Sequence, residues 1–227
     1  MTPLVLWDVD GTLVNAGRLG TRMYEDVFRS MFGRELTVIA PKAGRTDRAI
    51  TADTLMLARV PEASAWVDPF LAALSRYVTT LGGVAGSTVL ALPGAAAALA
   101  ALHGRAHQSV LTGNVRPLAE LKLRAAGLGA SLDFDAGAYG DAHEVRAELV
   151  GVARRAAKAA YGTDFEGPAT VLVGDTPLDV AAALATGARA IGIATGSYSP
   201  ADLAAAGAHA VLPDLSDTAR LLAAISP

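Results

Sequence analysis

Two short runs of consecutive apolar residues stand out against an otherwise mixed pattern. Leu4-Val5-Leu6-Trp7 leads into Asp8-Val9-Asp10-Gly11-Thr12-Leu13, and Ala169-Thr170-Val171-Leu172-Val173 leads into Gly174-Asp175-Thr176-Pro177-Leu178-Asp179. Short apolar runs without alternation, bounded by Gly, predict strands in the interior of a parallel sheet covered by helices on both faces. Between the two runs the period changes. Met23, Val27, Met31 and Phe32 fall on one face of a helix ending near Gly33. A second helix begins near Thr46 or Asp47, whose side chains can cap it, and a third passes through Trp66, Phe70, Leu74 and Tyr77. From Val14 to about Val89 no strand is expected, and Gly82-Gly83 with Gly86-Ser87 reads as a flexible return.

Alternation of helix and strand resumes at Leu92-Pro93-Gly94, with Pro93 in a first helical turn and a helix over 95–102. A strand over 108–111 ends in Thr112-Gly113-Asn114, and a helix over 117–126 carries Lys122 and stops at Gly127. A weak strand over 134–139 precedes a helix from near Arg146 through Tyr161. After the Gly174 loop come a helix over 180–186, a strand over 190–193, a turn at Thr195-Gly196, an edge strand over 210–212 and a closing helix over 216–224. This order predicts an α/β fold: a doubly wound parallel sheet, Rossmann-like, formed by 1–14 and 88–227, with an all-helical insertion over 15–87.

In open α/β sheets the ligand site lies beyond the carboxyl ends of the strands, and here those ends deliver acids. Asp10-Gly11 alone also fits a hairpin turn, and 175–179 alone fits a loop before an N-capped helix with Pro177 in its first turn. If the two strands are neighbours, Asp8, Asp10, Asp175 and Asp179 converge, and their repulsion calls for a cation. Hard oxygen ligands with room left for water suit Mg²⁺.

Taken in order, Asp8-Val9-Asp10-Gly11-Thr12, Thr112-Gly113-Asn114 and Gly174-Asp175-Thr176-Pro177-Leu178-Asp179 resemble motifs I, II and IV of the haloacid dehalogenase-like superfamily. Within it they resemble the phosphoglycolate phosphatase and β-phosphoglucomutase group, which has a helical cap. The resemblance implies that Asp8 is the nucleophile that takes up a phosphoryl group and that Asp10 is the general acid and base. It implies that Thr112 holds a phosphate oxygen, and that Asp8, Asp175 and the main-chain carbonyl of Asp10 bind Mg²⁺, with Asp179 at the metal's edge. The insertion would be a cap that closes over the site and excludes water. Each role has a physical reason. A carboxylate nucleophile is repelled by a phosphate monoester carrying roughly −1.5 to −2 charges, so metal and donors must offset that repulsion. Gly11, Thr12, Gly113 and Asn114 are expected around the phosphate, Gly11 because it lets main-chain N–H groups approach.

Gly44-Arg45-Thr46-Asp47 resembles a cap-loop sequence of such phosphatases, which implies that Arg45 contacts an anionic substrate. Read by itself, the segment is an N-cap at Thr46 or Asp47 beside a solvated Arg45. The chain also departs from the family pattern. Many relatives have Lys-Pro upstream of the last motif, where this chain has Arg146-Ala147. Lys122 and Arg146 are therefore both candidates for the cation that steadies the phosphoryl group, with Lys122 favoured and Arg146 as its partner or substitute. Each also has a bland alternative, Lys122 as a solvated helix residue and Arg146 as a surface partner of Glu144 or Glu148.

Composition bounds the rest. The 227 residues are 52% hydrophobic with a net charge of −3, enough for one core plus an inserted subdomain. Without Lys/Arg blocks there is no electrostatic footprint for nucleic acid or a membrane surface. The absence of Cys excludes disulfides and thiolate metal sites, and the four His show no metal-ligand spacing. The first apolar stretch is too short and lacks the basic flank of a signal peptide, and the Ala-rich segments are too short or interrupted for a membrane span, so a cytoplasmic protein is expected. The expected function is a Mg²⁺-dependent phosphatase acting on a small phosphorylated metabolite. The alternative within the superfamily is a sugar-phosphate mutase, and from another class a non-catalytic phospho-receiver or binding protein.

Overall fold

The first apolar run forms β1 (Leu4–Trp7), buried along its whole length. Beyond it come β2 (Val14–Asn15), the helices α1 (Leu19–Phe32), α2 (Asp47–Leu57), α3 (Val67–Tyr77) and α4 (Gly82–Thr88), and β3 (Leu90–Ala91). The remainder is α5 (Ala95–Ala101), β4 (His107–Val110), α6 (Arg116–Ala125), α7 (Arg146–Tyr161), β5 (Thr170–Gly174), α8 (Pro177–Ala185), β6 (Arg189–Ile193), α9 (Pro200–Ala205), β7 (Ala210–Leu212) and α10 (Thr218–Ile225). The computed structural model describes residues 2–225, so the outermost positions of the 1–14 and 88–227 segments lie outside the described residues.

The main sheet is parallel, in the order β4-β1-β5-β6-β7. Period-2 alternation splits β1 between two cores. Val5 and Trp7 pack on one face with Leu99, Leu118, Leu123 and Leu221, whereas Leu4 and Leu6 pack on the other with Leu149, Val150, Ala153 and Val180. Burying each large aliphatic or aromatic side chain of this kind contributes roughly 1.5–3 kcal/mol. The register is what builds the site. Trp7 stands opposite Val110 on one side and Val173 on the other, so β4, β1 and β5 end within a residue of one another, and Asp8 leaves the sheet one position before Thr112 and Asp175.

Several local expectations are corrected. Residues 82–88 are helical and not a flexible return, because Leu81, Ala85 and Val89 recur every four residues and are all buried. That packing offsets the roughly 0.5–1 kcal/mol that each helical Gly costs. Val14–Asn15 is a strand after all, pairing antiparallel with Leu90–Ala91; a ladder of two residues is too short to leave a periodic signal. Conversely, 134–139 is not a strand, and its pairing with β4's continuation is a single bridge, Leu111 to Ala138. There the Asp133 carboxylate accepts from the Asp135 and Ala136 N–H groups, closing a side-chain turn that competes with a ladder. Pro93 lies outside α5, whose N-cap is Gly94 at φ 78°, pressed so close to Leu215 that a Cβ would come within 2.1 Å. Trp66 sits in a 3₁₀ turn before α3. Helix α8 starts at Pro177, earlier than expected, because Thr176 and Asp179 form a capping box.

Candidate active site

Two clusters meet where β1 ends. In the first, Asp8, Asp175 and Asp179 bring carboxylate oxygens within 4.8 Å of one another, and all three residues are buried. Arg146, at the start of α7, reaches into this cluster. Its Nη2 lies 2.7 Å from Asp8 Oδ1 and 2.6 Å from Asp179 Oδ1, with Leu111 O at 3.3 Å. In the second cluster, Lys122 Nζ donates to Asp10 Oδ2 at 2.6 Å and to Asn114 Oδ1 at 2.8 Å. Asn114 Nδ2 donates to the same Asp10 oxygen at 2.7 Å and to Thr112 Oγ1 at 2.9 Å. Asp10 is thus engaged through its side chain by the second cluster and is not a carboxylate member of the first.

The two environments push the neighbouring acids apart. Burial drives the Asp8 carboxyl well above the usual range; Arg146 opposes this, and the charges of Asp179, Asp175 and Asp10 add to it. Asp175 is raised to about 7, by burial first and by Asp179 second, against the hydroxyl of Thr12. For Asp10 burial also acts upward, but the charge and hydrogen bond of Lys122 and the Asn114 amide outweigh it, leaving the carboxyl below its ordinary value. Arg146 loses from burial yet is held more firmly charged by Asp179 and Asp8.

The remaining sequence-derived candidates lie close by with varied attachments. The Gly11 N–H donates to Val14 O at 2.9 Å, and Gly11 adopts φ 83° with Asp175 filling the space of a Cβ. The Thr12 hydroxyl turns to Asp175 Oδ1 at 3.3 Å. Gly113 leaves room for a close approach, since Arg45 O lies 2.0 Å from where its Cβ would be. Arg45 lines the cavity, but its guanidinium is taken up by Asp53 at 2.6 Å and by the carbonyls of Ala49 and Pro41. The cavity, about 310 Å³, lies between the strand ends and the helical insertion and is also lined by Ala16, Gly17, Gly20, Met23, Tyr24, Lys42 and Asp47. Sequence reasoning did not single out Tyr24 or Lys42, and it treated Asp47 only as an N-cap. Thr46 is the cap, accepting from the Ala49 N–H, while Asp47 is a buried carboxylate raised by burial to about 6 despite the Val115 N–H and Tyr24 hydroxyl. No local signal marks that difference, because its partners lie far along the chain.

The residues of the first cluster fit a hard divalent cation. The buried Asp179 Oδ1, though close to Arg146, has no hydrogen bond of acceptable geometry, the donor atoms are all carboxylate oxygens, and Gly11 and Gly196 leave Asp175 Oδ2 unobstructed. Among the described residues, no helix is long and apolar enough to cross a membrane.

Comparison with known proteins bears on this arrangement. Residues 5–184 match the family model described as haloacid dehalogenase-like hydrolase. No curated protein matches the sequence significantly. A hydrolase from Pseudomonas syringae superposes with a TM-score of 0.67 at 21% identity over 100% of both chains. A predicted phosphatase from Clostridium acetobutylicum gives a TM-score of 0.70 at 19% identity, covering 98% of this chain and 99% of that one. CbbY from Rhodobacter sphaeroides, in complex with phosphate, gives 0.64 at 19% over 96% of each chain. At these identities the likeness to solved structures is one of fold.

Proposed function

The chain belongs to the haloacid dehalogenase-like hydrolases, and on that footing we propose that it is a Mg²⁺-dependent phosphatase that cleaves a small phosphomonoester through an aspartyl-phosphate on Asp8. One observation carries this reading: two acids two residues apart are held by different cations, Asp8 by Arg146 and Asp10 by Lys122. Pairs of acids whose environments push them apart mark a division of catalytic labour. Asp8 Oδ attacks phosphorus as the bond to the leaving oxygen breaks, and Asp10 gives that oxygen a proton. Asp10 then takes a proton from the water that attacks the phosphorus of the acyl-phosphate, which returns Asp8 as a carboxylate. Lys122 and Asn114 keep Asp10 ionised for this second step. When the ammonium turns toward a phosphoryl oxygen, it relaxes that hold, so that Asp10 can carry the proton the first step needs.

Mg²⁺, held by Asp8, Asp175 and the Asp10 main-chain carbonyl with Asp179 at its edge, would neutralise the phosphate charge that otherwise repels Asp8. Thr112 and the main chain at Gly113 and Asn114 orient the phosphate. The helical insertion supplies the facing wall, where small Ala16, Gly17 and Gly20 leave room for the leaving group. The test is a hydrolysis screen over sugar phosphates, phosphoglycolate and nucleoside monophosphates, with and without EDTA. Metal-dependent phosphate release is expected. Isomerisation of a sugar phosphate without release would make the protein a mutase, and inertness toward every substrate would overturn the enzymatic reading.

A further inference from the structure

Among the described residues, the machinery above leaves one buried carboxylate unused. Asp47 opens α2 within the helical insertion, is 6% exposed, and is bonded at both carboxylate oxygens. Its Oδ1 accepts from the Tyr24 hydroxyl at 3.0 Å, and its Oδ2 accepts from the Val115 N–H at 2.8 Å. Its own N–H donates to Gly113 O at 2.6 Å. A single residue of the insertion therefore grips the core loop on both sides of Asn114. That asparagine is the hub of the second cluster, bonded to Asp10, Thr112 and Lys122.

We propose that Asp47 is a positioning residue for the reaction, which fixes Asn114, and through it the Asp10–Lys122 pair, by bracketing the loop at Gly113 and Val115. The inference rests on the phosphatase reading for its kinetic consequence but not for its structural one. Three features support it. Val115 is the N-cap residue of α6, the helix that carries Lys122, and its own side chain supplies no capping bond; a carboxylate there also complements the helix dipole. Tyr24, itself buried, holds the carboxylate in place, its one hydroxyl proton shared between Asp47 Oδ1 and Asp47 O at 3.2 Å and its oxygen meeting Thr51 Oγ1 at 3.1 Å. The neighbouring contacts run the same way: Arg48 N–H donates to Gly140 O at 2.9 Å, and Thr46 Oγ1 donates to Glu144 O at 3.0 Å. Gly140 is so close to Gly113 that a Cβ would sit 1.7 Å from Gly113 O, leaving the loop no slack on that side. Asp47 touches no reacting atom. Its effect is to keep a donor and an ammonium in register, where a displacement of about 1 Å can cost ~10²-fold in rate.

The experiment pairs Asp47→Ala with Asp47→Asn and reads kcat and KM for p-nitrophenyl phosphate with Mg²⁺, together with amide exchange at Asn114 and Val115. Asp47→Ala is expected to lower kcat ~10–10²-fold with KM changed by no more than about 3-fold, and to speed exchange at Val115. Asp47→Asn keeps an oxygen that accepts from Val115 and an amide that donates to Tyr24 Oη, and it should restore most of the rate and the protection. Wild-type kcat in Asp47→Ala, or loss of rate with Val115 exchange unchanged, overturns the proposal. Should the wild-type protein hydrolyse no phosphomonoester, the phosphatase reading falls, and Val115 exchange alone decides for or against the bracket. If Asp47→Ala does not fold, Tyr24→Phe takes its place: faster Val115 exchange supports the proposal, and unchanged exchange overturns it.

Discussion

The two halves of the site carry similar groups in opposite balance. Around Asp8, three buried carboxylates face one arginine, so the half is over-acidic and both Asp8 and Asp175 are pushed upward. Around Asp10, one carboxylate faces one ammonium with an amide between them, so the half is neutral as it stands and Asp10 is pushed downward. On the proposed reading, the first half receives the cation and the second handles the proton. The two cations singled out in the sequence fall in different halves: Lys122 pairs with Asp10, and Arg146 pairs with Asp8 and Asp179.

The comparison breaks most completely at its two acids. Asp8→Asn should abolish a trappable phosphoryl-enzyme, whereas Asp10→Asn should still form one slowly, with both half-reactions reduced ~10²–10⁴-fold. Mapping labelled phosphate after a rapid acid quench distinguishes them, and label on Thr112 or on no residue would mean that the nucleophile is not Asp8.

Next in size are the two cations. Arg146→Ala strips the first half of its internal positive charge and should cost stability on the scale of a broken buried pair, about 3–5 kcal/mol, in thermal melts with EDTA. Mg²⁺ should recover part of that loss. Lys122→Ala should instead lower kcat ~10²-fold with a smaller change in melting temperature, because its partner Asp10 is open to the cavity. If Lys122→Ala melts earlier than Arg146→Ala and keeps its rate, the halves have been assigned the wrong way round.

A pH series sharpens the contrast without mutation. Asp175 has a folded-state pKa of about 7 against an ordinary 3.8, so its contribution to stability is fully present below about pH 3.8 and lost as pH rises through 7. Asp8 acts in the same direction. Asp10, shifted down, contributes stability above its ordinary value that is lost as pH falls. In EDTA the first half should therefore lower the melting temperature as pH rises from about 5 to 8, and Mg²⁺ should raise it most at the alkaline end while releasing protons on binding. A Mg²⁺ effect independent of pH would show that these acids do not hold the ion.

The smallest effect belongs to the cap of α8. Thr176 Oγ1 accepts from the Asp179 N–H at 3.2 Å and donates to Asp179 Oδ2 at 2.7 Å. Thr176→Ala should cost about 1 kcal/mol by urea denaturation and weaken Mg²⁺ binding slightly, leaving the Asp10 half untouched.

What the sequence discloses follows from how local each signal is. Strands β1 and β5 were legible because burial on both faces writes an unbroken apolar run, and the acids at their ends stood out for the same reason. Helix α4 was hidden because three glycines obscure a face made of Leu81, Ala85 and Val89. Thr12 and Arg45 were legible as polar residues near the site but not in direction, since Asp175 and Asp53 claim their side chains through contacts that no spacing reveals. Asp47 shows the limit most clearly: at its own position it looks like any acid in a first helical turn, and its bonds to Gly113, Val115 and Tyr24 give it another meaning.

The short β2–β3 ladder has a mechanical consequence. The chain leaves the core through Val14–Asn15 and returns through Leu90–Ala91, and these two crossings are hydrogen-bonded to each other, with the Leu92 N–H adding a bond to Leu13 O at 2.9 Å. At this end the insertion hangs from one stiff ribbon and not from two independent cords, while the start of α2 ties it to the core again at Gly113, Val115, Gly140 and Glu144. With those bonds broken, the ribbon would resist sliding of one body across the other and leave rotation about itself as the soft direction, so the insertion would swing as a door on a single hinge.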